Sequence, residues 1–371
     1  MPYALTNARF FTGDEWLTNT AVLVEGDTVF ALTNHFAEDV EQIDLRGLAV
    51  APAFIDLQIY GAGGHLFNSQ PTPQAIGETY AAIRQTGTLH FQITLSSTPM
   101  ETVWTAIEST KNYLAEPGTG LLGLHLEGPY FNPLKRGAHK AQYLRNPALN
   151  ELQALVERGR GAVTYLTAAP ELFNGEQLDF LLESGIYFSV GHSNATYAQA
   201  LAAMNRGVGR VTHLYNAMSP FQHRAPGLVG ATFDSQASAS IIADGIHCDW
   251  AAVRIAKQIM GERLFFITDA VTEDLSGEYQ FRLAGDHFTD ENGVLSGSAL
   301  TMMQAVQNAV QHAGISLSEA LRMASTYPAR VMDQAQRLGR IAPGFAASLV
   351  LFDENYQVRG IVENGRLEWF S

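Results

Sequence analysis

The 371-residue sequence predicts an α/β protein: a (β/α)8 TIM barrel with a small β-sandwich-like domain formed by the N- and C-terminal segments. Three observations carry this prediction. Eight short apolar runs rich in β-branched residues alternate with helical patterns between residues 48 and 270. Both chain ends read instead as short strands joined by polar turns. The stretch after the first run, DLQIYGAGGHLF, is glycine-rich but leads into no immediate helix, whereas a doubly wound sheet usually carries a phosphate loop there.

Along the chain, YALTNARFFT and TAVLVEGDTVFAL give the first strands, with Glu25-Gly26-Asp27 as a hairpin turn. The barrel runs follow as LAVAPAFIDLQI (48–59), HFQITLSS (90–97), GLLGLHLEG (120–128) and AVTYLTAAP (162–170). Then come GIYFSVGH (185–192), GRVTHLYNA (209–217), SASIIADGIH (238–247) and RLFFITDA (263–270). PTPQAIGETYAAIRQTG, METVWTAIESTKNYLAE, NELQALVERG, NGEQLDFLLESG and TYAQALAAMNRG are helical patterns between them. Several end in glycine, which suits the left-handed residue just past a helix. Near the far end, ASLVLFDENYQVRGIVENGRLEWF (347–370) gives three strands, with turns at Asp353-Glu354-Asn355 and Glu363-Asn364-Gly365. Chain ends often lie close together. The predicted division is therefore 1–49 plus 336–371 for the small β domain and 50–335 for the barrel.

Composition narrows the function. Apolar residues make up 46% of the chain and charged ones 16%, enough for a sizeable core without disulfides or a structural metal. A net charge of -14 with four lysines leaves no dense basic stripe, so nucleic acid is not an expected partner. The single cysteine, Cys248, fits a reducing, cytoplasmic compartment. MPYALTNARFFTGDEW lacks the pattern of a signal peptide. No window of about 18 apolar residues offers a membrane span.

Catalytic residues of such barrels sit at the C-terminal ends of strands. Those ends bring up Asp56 and Gln58, His125 and Glu127, His192, His213, Asp244 and His247, and finally Asp269. Glu127, His192 and His213 make a metal set: two imidazoles and a carboxylate with an open position describe a catalytic zinc site. The same donors suit iron, manganese or cobalt. No short-spaced motif such as HExxH is present, and the competing reading is three polar residues satisfied at strand ends. Asp269 follows LFFI and suits a proton carrier between an activated water and a leaving group, or an N-cap.

The remaining clusters are weaker. NPLKRGAHK (132–140), with Lys135, Arg136, His139 and Lys140, reads as a solvated loop. HRAPG (223–227) presents Arg224, whose guanidinium suits bidentate phosphate binding. Asn216 and Ala217 could offer backbone N–H groups to an anion. GVLSGSA (293–299) reads as a backbone nest or a helix start.

APAFIDLQIYGAGG, GLHLEGPYFNPLKRGAH, FSVGHSNATY and VTHLYNAMSPFQHRAPG carry a family likeness, extended by ADGIHCD, FFITDA, GVLSGSALTM, ASTYPARVMD and GRIAPGFAASLVLFD. Over nearly its whole length the chain resembles the amidohydrolase superfamily, and within it the deacetylases of N-acetyl-D-glucosamine 6-phosphate. The resemblance implies hydrolysis of the acetamide to glucosamine 6-phosphate and acetate. It implies a homodimer with one divalent metal ion per subunit, zinc foremost, held by Glu127, His192 and His213, with Asp269 as acid/base. It sets His139 and His247 against the sugar and the reacting amide. Gln58, Asn216, Ala217, Arg224, Leu295 and Ser296 become substrate contacts, with Arg224 reaching the neighbouring subunit's pocket.

One departure concerns the end of the first barrel strand. Many amidohydrolases hold a second metal there through His-x-His, and some of the deacetylases have Gln-x-Asn and one ion. This chain has Gln58-Ile59-Tyr60. Gln is a poor zinc ligand and a phenol has a pKa of about 10, so one tightly bound metal is expected. Alternative functions are deacetylation of another amino-sugar phosphate, such as the galactosamine isomer, and opening of a cyclic amide. A non-catalytic sugar-phosphate binding protein is a third, and Asp269 beside an intact triad counts against it.

Overall fold

The computed structural model describes residues 2–116, 120–275, 277–290 and 293–370. Eight strands form one sheet in sequence order: β1 (Phe54–Ile59), β2 (Thr88–Ser96), β3 (Leu121–Glu127), β4 (Val163–Ala168), β5 (Tyr187–Val190), β6 (Arg210–Val211), β7 (Ser238–Ile241) and β8 (Leu264–Phe266). From β2 to β8 each strand pairs in parallel with the next. The sheet closes on itself just beyond β8, where Ala270 bridges in parallel to Ile59. Asp269 N–H donates to the Gln58 carbonyl at 3.0 Å, and Tyr60 N–H to the Ala270 carbonyl at 2.9 Å. The seam of the barrel therefore sets Gln58, Tyr60 and Asp269 side by side.

Helices α1 (Pro73–Arg84), α2 (Met100–Leu114), α3 (Leu149–Gly159), α4 (Gly175–Glu183), α5 (Tyr197–Asn205), α6 (Gly227–Phe233) and α7 (Trp250–Met260) separate the strands. Their starts are written locally. Asn174 with Gln177, and Thr196 with Gln199, form reciprocal capping pairs at α4 and α5, and Asp249 caps α7 through Ala251 N–H. The strands of a parallel barrel are covered on both faces. All six residues of β1, FIDLQI, are accordingly buried, including Asp56 and Gln58. Polar groups there need partners, and those partners make the site.

Contacts divide the chain into two compact units, one of residues 57–80 and 91–300 and the other of residues 1–56, 81–90 and 301–371. The second unit holds a four-stranded sheet in the order 28–33, 21–25, 3–6, 41–44. Beside it in the same unit is a six-stranded sheet, ordered 366–369, 358–363, 349–352, 49–52, 9–11, 16–17. Strand 49–52 pairs antiparallel with 349–352, so the two chain ends do share a sheet. Leu5, Phe10, Val22, Val24, Val50, Leu349 and Leu351 supply its core. The helices Leu317–Ala324 and Thr326–Val331 belong to the same unit. Arg322 donates to the Gly13 carbonyl at 2.8 Å, and the Trp16 indole N–H to Ser318 Oγ at 2.9 Å.

One feature departs from expectation. Residues 282–284, 287–289 and 295–298 form a three-stranded antiparallel flap. Leu295 and Ser296 therefore lie on a strand, and GVLSGSA is not a helix start: the next helix begins at Met302, capped by Thr301. Among the described residues, no helix is long and apolar enough to cross a membrane.

Candidate metal centre and active site

His125 and Glu127 are two apart on β3 and so face the barrel interior together. They end in different roles. His125 lies deeper, with Nδ1 3.1 Å from the Leu57 carbonyl and Nε2 2.7 Å from Thr167 Oγ1. Burial pushes its pKa down to about 4, and it is a satisfied core histidine. Glu127, at the strand end, reaches the mouth while remaining buried.

His192, His213 and Asp269 sit just past β5, β6 and β8 with φ of 48°, 36° and 54°. Non-glycine residues seldom adopt this left-handed conformation. Here it occurs where the chain leaves each strand and turns the side chain into the mouth, and strain of this kind collects at functional sites.

The three proposed ligands meet closely. Glu127 Oε1 lies 3.0 Å from His213 Nε2 and 3.2 Å from His192 Nε2, and the two imidazole nitrogens are 3.1 Å apart. Bonds of about 2.0–2.2 Å in a tetrahedral site require donors separated by only slightly more than this. His192 Nδ1 lies 2.9 Å from the Lys135 carbonyl, which can only accept. That ring therefore carries its proton on Nδ1 and offers a lone pair from Nε2. The donor set fits a divalent cation.

Glu127, His139 and His192 also lie close enough to share an ion. Hydrogen bonding decides between the two histidines. Ser97 N–H points at His139 Nδ1 at 3.2 Å, so Nδ1 accepts. The proton must then be on Nε2, donated to Glu127 Oε2 at 3.0 Å. His139 braces the carboxylate, with both nitrogens engaged by protein, although it also lines the cavity.

The loop NPLKRGAHK is exposed at Pro133, Leu134, Arg136 and Gly137, as a solvated loop would be, yet it also reaches into the site. It supplies the Lys135 carbonyl to one histidine and His139 to the carboxylate. A Cβ at Gly137 would stand 3.3 Å from His192 Cε1, so the loop packs directly on that ring.

Gln58 lies beneath the cavity, 1% exposed, and does not line it, contrary to its expected contact with substrate. Its Nε2 is 2.7 Å from Asp269 Oδ1 and 3.0 Å from Glu127 Oε1. Only an NH2 group can satisfy two carboxylates, which fixes the amide orientation. The Tyr60 hydroxyl donates to Glu127 Oε2. Burial, reinforced by the charges of Glu127 and Asp269, holds this phenol well above its ordinary pKa. Asp244 Oδ2 accepts a hydrogen bond from His247 Nδ1–H at 2.6 Å, and its Oδ1 accepts the backbone N–H groups of Ile246 and His247. His247 is left with Nε2 for the cavity. The sequence displays Asp244 and His247 three apart but not this pairing.

A cavity of about 270 Å³ opens over these groups. Asn216, Ala217, His247, Leu295 and Ser296 line it, and Tyr60, Val271, Tyr279 and Phe281 give it an apolar wall. Arg224 is exposed and is not among the lining residues.

Electrostatics favour a cation at the meeting point. Burial alone would raise the Glu127 carboxyl, but His192 and His139 outweigh it and hold it well below its ordinary value. Burial drives His192 down to about 4 against the pull of Glu127. For His213 burial acts downward too, yet the hydrogen bond and charge of Glu127, helped by Asp269, raise it above 6.5.

Residues 49–367 match the amidohydrolase family, and residues 2–50 match the NagA composite domain. The N-acetylglucosamine-6-phosphate deacetylase of Haemophilus influenzae is 35% identical over 379 residues, covering 99% of each chain. The N-acetylgalactosamine-6-phosphate deacetylase of a Shewanella species is 34% identical over 345 residues, covering 91% of this chain and 87% of that one. The crystal structure of N-acetylglucosamine-6-phosphate deacetylase from Pasteurella multocida shares the fold with a TM-score of 0.96, at 34% identity over 100% of both chains.

Against burial, the hydrogen bond and charge of Glu127 raise the His213 imidazole, so a proton competes with a metal for its Nε2 as the pH falls. Metal affinity is expected to rise with pH and to weaken about tenfold for each unit below the His213 pKa. Zinc titration against a competing chelator between pH 5.5 and 8 measures this. An affinity independent of pH would contradict it.

Proposed function

The chain belongs to the amidohydrolase family, and we propose that it hydrolyses the acetamide of N-acetyl-D-glucosamine 6-phosphate to D-glucosamine 6-phosphate and acetate. The observation that carries this reading is the convergence of Glu127, His192 and His213 at one barrel mouth, with Asp269 tied to Glu127 through Gln58. A second reading, action on the galactosamine isomer, rests on the Shewanella relative, whose identity is nearly as high.

In this reading Glu127, His192 and His213 hold one divalent ion, for which zinc suits the donors best and iron, manganese or cobalt also serve. When bound, the ion supplies Lewis acidity towards a water and the amide carbonyl. Asp269 takes a proton from the attacking water and returns it to the amine nitrogen as the C–N bond breaks. Gln58 holds Asp269 Oδ1 at 2.7 Å and so fixes the plane of that carboxylate. With a proton on each ring nitrogen, His247 donates Nδ1–H to Asp244 and Nε2–H towards the carbonyl oxygen, where negative charge develops. Asn216, Ala217, Leu295 and Ser296 hold the sugar phosphate against the cavity wall. Arg224, exposed and outside the lining of its own cavity, reaches the phosphate in the neighbouring subunit of a homodimer. The single cysteine, Cys248, supports a cytoplasmic setting.

Acetate release from N-acetylated glucosamine and galactosamine, each with and without the 6-phosphate, tests the substrate. The highest kcat/KM is expected for the glucosamine 6-phosphate derivative, with activity lost on chelation and restored by metal. No acetate from either 6-phosphate would end the deacetylase reading.

Asp269→Asn is expected to retain metal and lose about 10²–10⁴-fold in turnover. Wild-type turnover in metal-loaded D269N would refute the acid/base role.

Subunit mixing tests the dimer. Arg224→Ala and D269N homodimers are each expected to be impaired, while a randomly reassorted mixture recovers about a quarter of wild-type activity through heterodimers with one intact site. No recovery in verified heterodimers would contradict the shared site.

A further inference from the structure

The two oxygens of Glu127 are held differently. Oε1 faces His192 Nε2 and His213 Nε2 and receives the Gln58 amide N–H at 3.0 Å. Oε2 receives His139 Nε2–H at 3.0 Å and the Tyr60 hydroxyl. A carboxylate offers about four lone-pair sites. Gln58, His139 and Tyr60 fill three of them with neutral donors. The one that remains is on Oε1, on the side where the two imidazoles meet.

Tyr60 is well suited to hold its place. It is 6% exposed, and its side chain belongs to a buried cluster with Leu66, Val271, Tyr279, Phe281 and Phe288, of which only Phe288 lies on the three-stranded flap. A buried phenol needs a partner for its hydroxyl. Packing restrains the ring, and the carboxylate accepts the hydrogen bond of its hydroxyl. Tyr60 lies two residues beyond Gln58, so the two side chains approach Glu127 from the same side of the seam.

We propose that Tyr60 is a positioning residue of the metal centre: its hydroxyl closes Glu127 Oε2 and thereby makes Glu127 a one-oxygen ligand for a single cation. The proposal rests on the assignment of Glu127, His192 and His213 as the ligand set. Without the hydroxyl, Oε2 has a free lone pair, and the carboxylate is free to rotate away from the geometry that the two imidazoles require. Loss of such an orienting partner typically costs about 10–100-fold in metal affinity.

The test compares the full-length wild type, Tyr60→Phe and Phe288→Leu, each stripped of metal and reloaded with zinc. The readouts are bound equivalents, zinc Kd by chelator competition, and the separate effects on kcat and KM. The wild type is expected to bind one equivalent. Y60F keeps the ring and should fold normally, but bind zinc about 10–100-fold more weakly, with kcat reduced and KM nearly unchanged. F288L disturbs the cluster without touching the hydroxyl, and its zinc Kd should stay near that of the wild type. Wild-type zinc affinity in Y60F would overturn the proposal, as would equal weakening in F288L, which would make packing the cause. The zinc measurement uses no substrate. A wild type that releases no acetate while Y60F still loses zinc would remove the deacetylase reading and leave the role of Tyr60 standing.

Discussion

A carboxylate is buried at the mouth of the barrel, and much of the site's structure serves to make that tolerable. Glu127 is 2% exposed. An unpaired charge at such depth costs several kcal/mol, so the fold must deliver partners to it. Gln58 and Tyr60 arrive from the seam, His139 from the loop after β3, His192 from beyond β5 and His213 from beyond β6. These residues are distant in sequence, and the closed sheet is what brings them together. The bridge from Ile59 to Ala270 that completes the ring also sets Gln58 beside Asp269.

Backbone groups divide the labour among the histidines. His139 and His192 stand at 3.0 Å and 3.2 Å from oxygens of the same carboxylate, so distance alone does not separate ligand from brace. The Lys135 carbonyl draws the His192 proton to Nδ1, whereas Ser97 N–H forces the His139 proton onto Nε2. One ring thus offers a lone pair to a cation and the other a proton to the carboxylate. Asp244 performs the same service for His247. For His139 and His192 the fixed partner selects the tautomer before any substrate arrives, and for His247 it holds one proton on Nδ1.

Much of this was legible in the sequence. All eight barrel runs became strands, and the strand-end rule found Glu127, His192, His213, His247 and Asp269, because a parallel barrel concentrates polar interior residues at one end. The contacts between side chains were not legible. Nothing in Gln58-Ile59-Tyr60 says that an amide bridges two carboxylates, or that the phenol lies on Glu127. The charges of NPLKRGAHK suggest solvent, and much of the loop does face it, but they say nothing of the carbonyl and the histidine that the loop also turns into the site. His125 and Glu127 share a face and a motif, and only their depth in the barrel tells the core residue from the site residue. The strands 282–284, 287–289 and 295–298 are only three or four residues long, too short for sequence periodicity to mark them.

Crystals of the metal-loaded protein measured at the absorption edge of the bound metal test the account at its centre. It predicts one anomalous peak per subunit, bonded at about 2.0–2.2 Å to a single oxygen of Glu127, to His192 Nε2 and to His213 Nε2, with His139 unbonded. A peak coordinated by His139, or a second peak of equal height against Glu127 Oε2, would contradict it.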